Sequence, residues 1–316
     1  METGQPAKAA DAFATALAEN PSDPDLMLVR AQALSDCGRY NEARELLATM
    51  PGAEKSAPRQ SLLGDIEEKS GNFREAAEHY ARAVQIEPTE ANVWILGLEF
   101  LRHLSFDAAI PEFEAAEMKF PQSPRIKLGM GVAYFGSRSY AKSIPVFADL
   151  LGLDPGNALY AELLGLACTK LIHEEKPRCQ ALISYAQTHP RDAKASTYAA
   201  TVLLEDGRAE QLLEARKLLA AGIAADPKMA EPRYQLGILQ QKMGDWAASI
   251  PNLESALTLK PGFAGAHYRL ALAYSHCGQK QQAQRELALY QQYHEREEKE
   301  FDRRIQQITT LLVEVH

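Results

Sequence analysis

Basic residues are in deficit in this sequence. Lys and Arg number 34 against 42 Asp and Glu, a formal charge of −8 over 316 residues. Proteins that grip duplex nucleic acid present a basic face, so nucleic acid is not an expected partner. Long apolar runs are also missing: nothing reaches the roughly 18 residues that a membrane helix needs, so no transmembrane segment is expected. No GxxxxGK, GxGxxG, HExxH or GxSxG pattern occurs, which removes the common phosphate, dinucleotide, metalloprotease and serine-hydrolase signatures. Acidic pairs such as Glu67-Glu68 and Glu297-Glu298 are adjacent in sequence, do not face each other on a helix, and read as solvated surface. The expectation is a chain with no catalytic residues and no cofactor, that is, not an enzyme.

Cysteine is scarce too. Cys37, Cys168, Cys179 and Cys277 form no CxxC pair, and no His/Cys cluster has zinc spacing. The eight histidines are scattered, and His267 and His276 fall on different faces of a helix, so no metal site is expected. Two readings of the cysteines stay open. They are small core residues, or Cys168 and Cys179 bridge the two helices of one hairpin, which would imply an oxidising compartment. The compartment, cytoplasmic or exported, is otherwise undetermined. No signal peptide is visible at the start.

What is abundant is Ala, Leu and Glu, a balance that favours helix over sheet, and it is arranged in repeats. A Leu-Gly-like pair recurs at Leu63-Gly64, Leu96-Gly97, Met130-Gly131, Leu164-Gly165 and Leu236-Gly237, in steps of 33, 34, 34 and 72 residues. Arg30-Ala31, Ala199-Ala200 and Leu270-Ala271 complete the series. Pro88, Pro121, Pro155, Pro190, Pro227 and Pro261 mark the same period, with Pro21 two periods earlier and an irregular stretch at Met50-Pro51-Gly52. Each period holds two amphipathic helices. Gly38, Gly71, Gly207, Gly244 and Gly278 suit the positive φ that ends the first. Two residues on stands an aromatic, Tyr40, Phe73, Phe106, Tyr140 or Trp246. Small and bulky residues then alternate along one face of the second helix, as in Ala76, Tyr80, Ala83 and Ala109, Phe113, Ala116.

This pattern resembles the tetratricopeptide repeat over nearly the whole chain. The resemblance implies an all-α, right-handed superhelical α-solenoid of antiparallel helix pairs, with about eight repeats and a C-terminal helix. The repeats read as 24–56, 57–89, 90–123, 124–157, 158–192, 193–229, 230–263 and 264–297, after a half-repeat at 4–23. Residues 1–297 form the solenoid and 298–316 a capping helix. The fifth repeat has a longer turn at His173-Glu174-Glu175-Lys176-Pro177, and the sixth gains about three residues near Ala209-Glu210-Gln211; local bends are expected at both. The half-repeat leaves a face uncovered, so further sequence is expected upstream of Met1. Phe301, Ile305, Ile308, Leu312 and Val315 form a stripe that reads as a cap on the last repeat or as a short coiled-coil dimer seam. A monomer is the simpler expectation.

The resemblance also implies that positions 2, 5, 9, 12 and 13 of each repeat line the concave surface, a stripe distinct from the packing stripe. In repeat three these are Trp94, Leu98, Leu101 and Arg102, and in repeat four Arg125, Leu128, Val132 and Phe135. Leu166 follows in repeat five, and Tyr234, Ile238, Tyr268 and Leu272 in repeats seven and eight. Repeats one and two offer a polar, mostly acidic surface of Gln32, Asp36, Asp65, Glu68 and Lys69. An apolar patch of this kind marks an interaction site, although a tightly wound groove also packs such residues across itself. The family's carboxylate clamp of Lys and Asn is absent, its positions holding Leu28, Gln32, Ser61, Asp65, Trp94 and Leu98. The expected role is a scaffold for a protein or peptide with an apolar or amphipathic segment. A regulatory or targeting arm of a larger protein and a self-assembling module are the alternatives.

Overall fold

The computed structural model describes residues 6–170 and 179–314, without the side chains of 206, 295–302, 304–306 and 309–314. The described residues fold into α-helices joined by short turns, with one 3-10 turn at Ala53–Lys55 and no strand. By compactness the chain divides into residues 1–129 and 130–316. The first unit opens with α1 (Pro6–Glu19) and continues as hairpins: α2 (Pro24–Asp36) with α3 (Tyr40–Ala48), α4 (Ala57–Lys69) with α5 (Phe73–Ile86), and α6 (Glu90–Arg102) with α7 (Phe106–Lys119). Helix α8 (Pro124–Gly136) pairs in sequence with α9 (Tyr140–Leu153). The second unit goes on with α10 (Ala158–Lys170), α11 (Gln180–Thr188), α12 (Ala193–Asp206) and α13 (Ala209–Ala225). It ends with α14 (Glu231–Lys242), α15 (Trp246–Leu259), α16 (Ala264–His276) and α17 (Lys280–Glu314). The fold is an all-α solenoid of antiparallel helix pairs.

Six of the described hairpin turns are chemically alike. The first helix closes with paired bonds: Arg39 N–H donates to Leu34 C=O at 2.8 Å and Gly38 N–H to Ser35 C=O at 3.0 Å. Gly38 holds φ +81° there, and Gly71, Gly244 and Gly278 hold +83°, +82° and +76° at the same place. Repeats three and four lack the glycine, yet the geometry persists. Leu104 and Arg138 take φ +54° and +63°, and Ser105 and Ser139 N–H donate to Phe100 and Tyr134 C=O at 2.8 Å. Side chains cap the opposite ends: Asp23 accepts from the Asp25 and Leu26 N–H groups at 3.0 and 3.1 Å, and Thr89 from Asn92 N–H at 3.2 Å.

Between helices, the recurring glycine lets an aromatic ring approach the backbone. A Cβ on Gly97 would run into the ring of Phe113, one on Gly64 into Tyr80, and one on Gly131 into Phe147. Phe113 and Phe147 are fully buried as a result. Ion pairs join successive repeats: Arg44 on α3 donates to both oxygens of Glu67 on α4 at 2.6 and 3.1 Å. In the second unit, buried His267 on α16 meets Glu286 on α17 at 2.6 Å.

Three places depart from a regular repeat. The extra residues of repeat six lengthen α13 to 17 residues, where α5, α7, α9 and α15 have 14. The second helix of the last repeat and the stretch expected to cap it form one continuous helix of 35 residues. Cys168 at the end of α10 is bonded to Cys179 at the start of α11, with Cα atoms 6.1 Å apart; of the two readings of these cysteines, the disulfide is the one present. The turn at 173–177 lies outside the described residues. So do the side chains of Phe301, Ile305 and Leu312 and the whole of Val315, while Ile308 is half-buried. No helix among the described residues is long and apolar enough to cross a membrane.

Candidate functional site

The stripe expected to line the concave surface is partly closed. In the first unit Trp94, Leu98, Leu101 and Leu128 are buried, and in the second Val132, Phe135, Leu166 and Ile238 are as well. Trp94 is 3% exposed. Its ring meets Phe113 with centroids 6.1 Å apart, and the Arg125 guanidinium covers it at 5.5 Å. These side chains are packed in the free chain. Arg125 and Arg102 keep partial exposure; Arg125 lies 3.3 Å from Glu90. In the second unit Tyr234 and Leu272 are half-buried and Tyr268 is 42% exposed. Tyr268 and Leu272 stand one turn apart on α16, on one face, with the Tyr290 ring 5.3 Å from that of Tyr268.

The first unit holds a cluster that linear spacing does not reveal. Glu68 near the end of α4 faces Glu99 and His103 at the end of α6. His103 Nε2 stands 3.2 Å from Glu68 Oε2 and 3.3 Å from Glu99 Oε1. From the other side Arg102 Nη1 donates to Glu68 Oε1 at 3.1 Å and to Glu99 Oε2 at 2.9 Å. The Glu99 side chain is 2% exposed. Burial, and then the neighbouring Glu68 carboxyl, push it up to about 8. Glu68 and His103 are one repeat apart in sequence. The solenoid sets the first helices of successive repeats side by side, and that offset is the signal that would find them.

Beside this cluster runs a cleft of about 500 Å³ between α5 and α6, lined by Phe73, Ala77, Ala81, Glu99, Phe100 and His103 among others. Phe73, the aromatic after the hairpin glycine, leans on the His103 ring at 4.0 Å. In the second unit Trp246 occupies the equivalent place and stacks on His276 at 3.7 Å. A second cleft, about 640 Å³, lies at the inter-repeat turns of the second unit among Arg191, Lys194, Tyr198, Asp226 and Glu231. Charged and apolar side chains line it together.

Sequence profiles described as "Tetratricopeptide repeat" match residues 1–66 and 241–300, 96–158, and 59–90. The chain belongs to the tetratricopeptide repeat family. Among solved structures it is similar to a tetratricopeptide repeat protein from Parabacteroides merdae, at 15% identity and a TM-score of 0.56, covering 80% of this chain and 98% of that one. The C-terminal part of a TPR repeat-containing protein from Cytophaga hutchinsonii is also similar, at 20% identity and 0.56, covering 73% and 94%. A MamA protein structure matches at 20% identity and 0.43, covering 56% and 94%. No curated protein matches the sequence. The structural likenesses concern the fold. Membership in the tetratricopeptide family supports a protein-interaction repeat scaffold.

Proposed function

We propose that this tetratricopeptide chain is a non-catalytic scaffold that holds a protein or peptide by an apolar or amphipathic segment, gripped on the concave face of repeats seven and eight. One observation carries this reading: Tyr268, at a position expected on the concave stripe, is 42% exposed, beside the half-buried Leu272 and Tyr290. Exposed tyrosines backed by apolar neighbours are common anchors of protein interfaces. The buried stripe around Trp94 supports the first unit from within.

A randomised peptide library selected on the whole chain tests the reading, with selected peptides titrated by fluorescence anisotropy. The expected peptides carry apolar side chains at helical or alternating spacing. Tyr268→Ala is expected to weaken them by about 2 kcal/mol, a factor of about 25 to 30, with an unchanged thermal melt. Peptides that bind Tyr268→Ala and Leu272→Ala as well as the parent chain, or a selection that enriches nothing, would overturn it.

A further inference from the structure

The Glu68, Glu99 and His103 cluster has a chemistry that peptide binding does not use. Glu99 is sealed from water, and its Oε1 accepts no hydrogen bond, although His103 Nε2 stands 3.3 Å from it. A buried carboxyl oxygen left without a partner is costly. Arg102 does not relieve it, because its two bonds go to the other Glu99 oxygen and to the outer oxygen of Glu68. One donor atom from each of Glu68, Glu99 and His103 lies within 4.8 Å of the others.

We propose that Glu68, Glu99 and His103 form a zinc(II) site, with a fourth coordination position for water on the side of the α5–α6 cleft. Bonds of about 2.0 Å in a tetrahedron place donors about 3.3 Å apart. The His103 distances of 3.2 and 3.3 Å to the two carboxylates already match that spacing. Two carboxylates and one imidazole are zinc donors, and three protein ligands with one open position is a familiar zinc arrangement. The surroundings suit a bound cation as well. Arg102 fixes both carboxylates through their remote oxygens, leaving the inner ones turned toward His103. Phe73 packs against the imidazole ring, with centroids 4.0 Å apart, and restrains it. Groups that orient ligands in this way are part of what makes a metal site. Glu99 and His103 also line the cleft, which supplies a route for the ion. Ionised, as zinc ligands are, the two carboxylates against Arg102 leave one negative charge; zinc displaces the proton that burial favours on Glu99 and reverses that sign.

The test is calorimetric titration of zinc chloride into the full-length, tag-free chain, repeated with cobalt(II) and read as visible absorption. One equivalent of zinc is expected, together with the intense visible bands of four-coordinate cobalt. Glu68→Gln and His103→Gln are each expected to weaken zinc at least about tenfold, while His189→Gln leaves it unchanged. Circular dichroism reports folding for each variant, and should His103→Gln fail to fold, Glu68→Gln decides. No zinc heat with the parent chain, zinc binding that survives both ligand variants, or binding lost in His189→Gln would each overturn the proposal.

Discussion

Replacing Trp94 by alanine removes the ring that Phe113 packs on and the surface beneath the Arg125 guanidinium. A side chain this buried is expected to cost about 3–5 kcal/mol, seen as a lower urea midpoint. Tyr268→Ala, at an exposed place on the same stripe, is expected to leave that midpoint near the parent value. The two residues are equivalent in the repeat, so their registers were legible from spacing alone. Their different exposure was not. Periodicity assigns a side chain to a face; it does not measure how closely the next element covers that face. Gly97 is the converse case, since its place against Phe113 follows directly from the recurring small residue and the aromatic one helix later. Glu99 shows a third limit. His103 follows it at the i,i+4 spacing of a helix, but Glu68 is recognisable only when the sequence is read one repeat against the next.

The hairpin turn is the element most clearly written in the sequence, because a left-handed residue is needed and glycine supplies it at Gly38, Gly71, Gly244 and Gly278. Where glycine is absent the turn keeps its form at the expense of backbone strain. Arg138, exposed and at φ +63°, carries a penalty of roughly 1–2 kcal/mol for an L-residue in this region. Arg138→Gly is therefore expected to stabilise the chain by about 1 kcal/mol, part of the relief being offset by the greater freedom of glycine when unfolded. Chemical denaturation of the single variant checks this. Other elements were less legible. The insertion in repeat six could equally have made a loop, yet Glu, Gln and Leu at its start favour helix, and α13 simply begins earlier. The absence of Pro and Gly after Gln284 leaves nothing to end a helix, and α17 continues through the boundary drawn at residue 297.

Within each unit the described helices pack chiefly inside a hairpin and then against the adjoining one, so each repeat is stabilised by the next. The Cys168–Cys179 bond adds a covalent tie within the second unit. Closing a loop of about a dozen residues contributes about 3 kcal/mol in the chain-entropy treatment. Denaturation in the presence of a thiol reductant is expected to begin earlier by that margin, and Cys168→Ser with Cys179→Ser should behave alike with and without reductant. Sequence alone left this pair undecided because a buried cysteine and a bridged one occupy the same kind of position.

The same bond changes how the chain carries a load. A pull on its two ends passes from Cys168 directly to Cys179, across 6.1 Å between Cα atoms, and skips the backbone between them. Stretched out, the oxidised chain is shorter than the reduced one by about 30 Å, the extended length of the bypassed residues less the span of the bridge. A backbone break anywhere in that interval leaves the molecule in one piece.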